Sequence, residues 1–161
     1  MAAQVALFGT ISKEKDWRNN QVIPVLHKLN VTYFNPVVDD WTPERAAIEA
    51  QAMAEAETIV MVFDDSSPAF TGLAEAGWAA LGASQRGQNF ILYIDMSYQL
   101  NIPQNILTTD LAKEWAGYFK HWATSVRELT CRHAQESDLE TLYLCETMDE
   151  VCDTLKEIYK T

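Results

Sequence analysis

Basic residues are scarce in this chain. Lys and Arg total 12 against 23 Asp and Glu, which leaves a net charge of -11 over 161 residues. A surface this acidic repels phosphate backbones and anionic lipid, which argues against a nucleic-acid polymer or a membrane as partner. Small nucleotides stay open, because a local pocket can oppose the global field. Glycine is also sparse, with six in all. The first loop, Phe8-Gly9-Thr10-Ile11-Ser12, holds a single one. It is neither a Walker loop nor GxGxxG, so P-loop and nicotinamide enzymes lose most of their support. The three histidines, His27, His121 and His133, form no HExxH and sit in no acid cluster, so no metal is expected. The three cysteines, Cys131, Cys145 and Cys152, make no CxxC pair. Together with a start, Met1 to Phe8, that lacks a basic segment and a long apolar run, they point to a reducing cytoplasm. No stretch approaches the ~20 apolar residues of a membrane span.

What remains is an ordinary globular composition. Hydrophobic residues make up 48% and charged residues 22%, and the length suits one domain over residues 1–161. Short apolar runs alternate with helical stretches. Strands are expected at 4–8, 31–34, 58–63, 89–94 and 142–144. The third, Thr58 to Phe63, has the continuous apolar character of a strand buried on both faces. Helices are expected at 16–29, from Pro43 to about 56, at 71–83, at 107–129 with a break near Gly117, and at 148–159. Pro24 sits inside the first and is expected to kink or delay it. Thr42 can cap the second, with Pro43 at its first position. Five βα units of this kind predict an α/β fold: a single-domain Rossmann-like (flavodoxin-like) three-layer sandwich with a parallel five-stranded sheet. Ligands bind such sheets at the carboxyl ends of the strands, near the switch in strand order. The loops after the strands are therefore the place to look for a site.

Three of those loops carry candidate groups. Gly9 lets a ligand approach the backbone closely, or simply makes a tight strand exit. Asn35 to Trp41 offers an amide, acids and an indole suited to a sugar or a base, or an ordinary turn. The third loop is the richest. Asp64 and Asp65 end a strand; Thr71 and Gly72 start a helix that carries Glu75 one turn in. A helix N-terminus favours an anion there and helps keep Glu75 ionised. A carboxylate at such a cleft can attack an anomeric carbon while a second carboxyl group assists the leaving group. An acid in a first helical turn also commonly does no more than complement the dipole, so these residue types alone leave both roles open.

The order and spacing of several short motifs go further. They are Leu7-Phe8-Gly9-Thr10-Ile11, Asp16-Trp17-Arg18, Asn35-Pro36 with Trp41 downstream, Glu49, Ala56-Glu57-Thr58-Ile59-Val60, and Leu73-Ala74-Glu75-Ala76-Gly77. With these the chain resembles the nucleoside 2-deoxyribosyltransferase-like superfamily over roughly residues 4–95. The resemblance implies that Glu75, followed by Ala76-Gly77, is a nucleophile that forms a covalent deoxyribosyl intermediate. It implies a further aspartate for the base proton. That family's Ala-Asp step reads Ala56-Glu57 here, and its aspartate shortly before the nucleophile is replaced by Ala69 and Phe70, with Asp64 and Asp65 nearest. The aromatic or polar residue after the first strand is represented by Phe8 and Thr10.

The expected function is therefore cleavage or transfer at the N-glycosidic bond of a nucleoside or nucleotide, with no cofactor. Glu75 attacks C1′. Asp64 or Asp65 orients the sugar or moves a proton, with Glu57 as an outer candidate. Phe8, Gly9, Thr10, Asn35, Trp41 and Gly72 shape the binding site. The acceptor is a free base or water. A sensor that binds a nucleotide or nucleotide-sugar without turnover is the second reading. The resemblance also implies a homo-oligomer, for which Trp115, Tyr118, Phe119 and Trp122 can supply an interface; core filling under a long helix is the simpler role for each of them.

Overall fold

The computed structural model describes residues 2–40 and 42–160. Five parallel strands form one sheet: β1 (Val5–Gly9), β2 (Tyr33–Phe34), β3 (Thr58–Phe63), β4 (Asn89–Ile94) and β5 (Leu142–Cys145), in the order β2-β1-β3-β4-β5. This is the flavodoxin-like order, and its switch point lies between β1 and β3. Those two strands pair in register from Val5↔Thr58 to Gly9↔Val62.

Strand residues alternate between two cores, as the two-residue period requires. Val5, Leu7, Val60, Val62 and Ile91 face one side, where they meet α1 (Ile23–Lys28) and α5 (Met148–Ile158). Ala6, Phe8, Ile59, Met61, Phe63, Phe90 and Leu92 face the other, against α3 (Phe70–Arg86) and the second half of α4 (Asp110–Gln135). The helix α2 (Pro43–Glu55) touches α3, packs Met53 on the core and buries none of its residues fully. Thr109 and Thr147 cap α4 and α5 through their side-chain oxygens. No helix among the described residues is long and apolar enough to cross a membrane.

Three local departures from the sequence expectations have physical causes. The first helical stretch opens as a π-helical turn, Arg18–Val22, before α1 begins. Pro24 has no N–H to give to residue 20 and its ring crowds that carbonyl, so the wider turn accommodates it. The long helix α4 runs unbroken from 110 to 135 past Gly117, whose missing side chain faces open space. The four aromatics of α4 do not fill the core. Trp115, Tyr118, Phe119 and Trp122 are 43 to 49% exposed, because α4 turns a different stripe, Ala116, Ala123 and Arg127, inward.

Candidate active site at the strand switch point

The site is built on a backbone device. Gly9 leaves β1 at φ +116°, and a Cβ there would stand 1.9 Å from the Val62 carbonyl oxygen. Only glycine fits a positive φ with so close a neighbour. The turn lets Thr10 N–H donate to Val62 O at 2.8 Å, while Thr10 Oγ1 accepts from Asp64 N–H at 3.2 Å. The ends of β1 and β3 are thus locked together, and the chain after each is directed outward.

Behind this turn lies Arg18, buried and without a carboxylate partner among the described residues. It donates to the carbonyls of Thr10 at 2.7 Å, Gly9 at 3.3 Å and Leu7 at 3.5 Å, and stacks 4.2 Å from the Trp17 ring. Burial lowers its pKa to about 10, opposed by the charges of Asp16 and Asp64, so it is charged at neutral pH. Trp17 Nε1 also donates to Thr10 O, at 3.0 Å. Both side chains stiffen the first loop.

Over this turn opens a cleft of about 420 Å³. Its walls are Phe8, Gly9, Thr10, Ile11 and Arg18 from the β1 side, Pro36 and Val38 after β2, Glu49 of α2, and Phe63, Ser67, Ala69, Thr71, Gly72 and Glu75 from β3 to α3. The volume suits a small molecule of nucleoside or nucleotide size. Gly72 is required by packing: a Cβ there would meet the Phe63 ring at 2.7 Å. Without one, the first turn of α3 lies against Phe63 and Glu75 reaches the cleft wall one turn further on.

Glu75 is exposed as a whole residue, yet its carboxyl group is hemmed in by the cleft. Burial is the larger cause that raises its pKa above the usual glutamate value, and the charge of Glu49 adds to it. This corrects the expectation that the helix N-terminus keeps Glu75 ionised. The helix starts at Phe70, so Glu75 lies in its second turn, beyond the reach of the terminal dipole. Glu49 is an acid whose role the sequence alone leaves unassigned. The signal was present: Glu49 stands four residues before Met53, whose side chain packs on the core, so both share the inward face of an otherwise exposed helix.

The structure thus gathers Phe8, Gly9, Thr10, Gly72 and Glu75 around one cleft. The other expected residues stand elsewhere. Asp64 is buried beside it; its Oδ1 accepts from Ser66, its Oδ2 has no partner among the described residues, and its side chain lines a separate recess with Trp17 and Tyr93. Asp65 binds Lys15 through both carboxylate oxygens, and that hydrogen bond holds its pKa below the ordinary range. Asn35 accepts from Val37 N–H within its own turn. Glu57 precedes β3, at the opposite edge of the sheet. Trp41 lies outside the described residues.

Gly9 and two carboxyl groups, Glu49 and Glu75, thus meet in one cleft at the switch point of a doubly wound parallel sheet, the place where ligands of such sheets bind. Residues 2–95 match the family described as nucleoside 2-deoxyribosyltransferase like, which is more than half of the chain, and the protein belongs to that family. Its general chemistry is glycosyl transfer or hydrolysis at nucleosides. No curated protein sequence matches this chain. Seven chains of solved structures do. One is a conserved protein from Enterococcus faecalis V583, 14% identical, aligned over 98% of this chain and 99% of that one with a TM-score of 0.48.

Proposed function

We propose that this protein cleaves or exchanges the N-glycosidic bond of a nucleoside or nucleotide, with Glu75 as nucleophile. The observation that carries the reading is the pair of carboxyl groups, Glu49 and Glu75, in one cleft at the switch point. A Glu75 oxygen bonds to C1′ while the C1′–N bond breaks, and its electron pair departs with the base. In this reading Glu49, the second carboxyl group of the cleft, gives that base a proton. In the second half, water or a free base attacks C1′ and gives its proton to Glu49, the C1′–O bond to Glu75 breaks, and both carboxyl groups return to their starting states. The part-exposed Pro36 and Val38 side chains suit the base, and the Gly9-Thr10 backbone suits the sugar.

Two tests follow from the pair. With Glu49→Gln, base release is expected to fall about 10²- to 10⁴-fold, the usual contribution of a general acid. The same substitution removes one of the two causes that raise the Glu75 pKa. The acid limb of kcat/KM, which reports Glu75 in the free enzyme, should therefore move to lower pH and stay above an ordinary glutamate's. An unmoved limb would separate the two groups.

The same reading includes a homo-oligomer. Trp115, Tyr118, Phe119 and Trp122 pack on one another in pairs with ring centroids 5.5 to 6.3 Å apart and remain nearly half exposed. At ~150–250 Å² per aromatic side chain they leave about 400 Å² of apolar surface open. That is near the limit for a monomer and about half of what each partner brings to a stable interface. Leu111, 63% exposed on the same helix, extends the patch. The Trp115→Glu, Trp122→Glu double variant is expected to run as a monomer by light scattering, and the unaltered protein as an oligomer. A monomeric unaltered protein contradicts this part of the proposal.

A further inference from the structure

Arg127 lies in α4, beyond the residues that match the family. It is 1% exposed and pairs with no carboxylate among the described residues. Both terminal nitrogens are committed to main-chain oxygens. Nη1 donates to Phe63 O at 2.9 Å and Asp95 O at 2.8 Å; Nη2 donates to Asp64 O at 2.8 Å and Ser67 O at 2.7 Å. The Tyr98 ring stacks on the guanidinium at 4.5 Å.

These four acceptors belong to the end of β3, the loop that follows it and the end of β4. The loop is the one that turns into α3. Ser67 and Ala69 of that loop form part of the cleft wall. Ala69 is held at φ +52°, a left-handed conformation that a residue with a side chain rarely adopts. Its carbonyl then accepts from Leu73 N–H at 2.8 Å and opens the helix. No side chain caps α3, so the place where it starts is set by this loop. For stability alone, an apolar residue would serve as well as a buried charge of this kind. The planar five-donor fork does what no apolar group can: it fixes four oxygens relative to one another.

We infer that Arg127 is a positioning residue, which holds the 64–69 loop so that α3 presents Glu75 to the cleft opposite Glu49. Its kinetic consequence rests on the proposed function; its geometric consequence does not. The test uses Arg127→Met and Arg127→Lys in the full-length protein, at a temperature well below unfolding. Both variants are expected to exchange the amides of residues 64–72 faster than the unaltered protein, while the centres of β3 and β4 keep their protection. The Glu75 carboxyl carbon, followed by NMR, is expected to titrate nearer an ordinary glutamate value as the carboxyl leaves its confined place. Base release should fall about 10²-fold in kcat for Arg127→Met, the penalty for displacing a reacting group by an ångström or so. Arg127→Lys, with a charge but no fork, should recover only part of it.

A lower melting temperature with unchanged exchange at 64–72 and an unchanged Glu75 titration would overturn the inference and leave Arg127 a purely structural residue. If Arg127→Met does not fold, Arg127→Lys carries the same readouts. Should the unaltered protein release no base from any substrate, the proposed function fails, while exchange and titration still decide the role of Arg127.

Discussion

Replacing Glu75 by glutamine is expected to reduce base release from a nucleoside or nucleotide by on the order of 10⁴-fold or more, the loss typical of removing a covalent nucleophile. The amide cannot form the ester to C1′, and it preserves size and position, so loss of fold is not the cause. The same substitution carries a second, opposite signature. The Glu75 pKa is raised in the folded protein, so folding takes up a proton there. Ionised Glu75 therefore costs stability once the pH exceeds its unfolded-state value, near 4.5, and the cost is fully present above its folded-state value. At neutral pH, Glu75→Gln is expected to melt at a higher temperature than the unaltered protein. The difference should vanish as the pH falls below 4.5. A residue kept for chemistry at the expense of stability behaves this way. A residue that complements a helix dipole would give the reverse, with the glutamine variant less stable at neutral pH. Thermal melts over a pH series separate the two.

Gly9→Ala should be the most destabilising single methyl in the cleft. The new Cβ would lie 1.9 Å from Val62 O and 2.7 Å from Val62 N, at φ +116°. The obstacle is main chain of the neighbouring strand, which cannot rotate aside. Backbone strain and overpacking, each ~1–3 kcal/mol, combine to about 4 kcal/mol. For a chain of this size that lowers the melting temperature by about 8–16 °C. Urea unfolding at neutral pH measures it directly. A loss under 1 kcal/mol would mean that β1 and β3 can part at their carboxyl ends, and the cleft floor would not be the rigid element described above.

Much of the fold is legible in the sequence because the sheet is buried on both faces. Thr58–Phe63 and Asn89–Ile94 read as continuous apolar runs and occupy the expected residues. The single glycine after β1 and the start of α2 at Pro43 were equally readable, since each reflects a local backbone requirement, although the Thr42 side chain makes no capping hydrogen bond. Tertiary relations were not. Asp64 and Asp65 follow a strand at the carboxyl edge, as a catalytic acid should, yet one points into a neighbouring recess and the other is occupied by Lys15. Glu49 shares the inward face of α2 with Met53, but its meeting with Glu75 in one cleft depends on how α2 and α3 pack, which that spacing does not encode. Arg127 acts over a separation of 64 residues from Phe63 and has no motif at all. The aromatics of α4 have the spacing of a buried stripe. They are left open because α4 buries another stripe, Ala116, Ala123 and Arg127.

The most direct test of the central claim is mass spectrometry of the protein incubated with a panel of deoxy and ribo nucleosides and 5′-nucleotides, quenched in acid during turnover and digested. Glycosyl transfer or hydrolysis through Glu75 predicts a pentosyl adduct on the peptide that contains Glu75, absent in Glu75→Gln, together with free base in solution. Base release with no adduct on that peptide, or with undiminished rate in the Glu75→Gln variant, would contradict it.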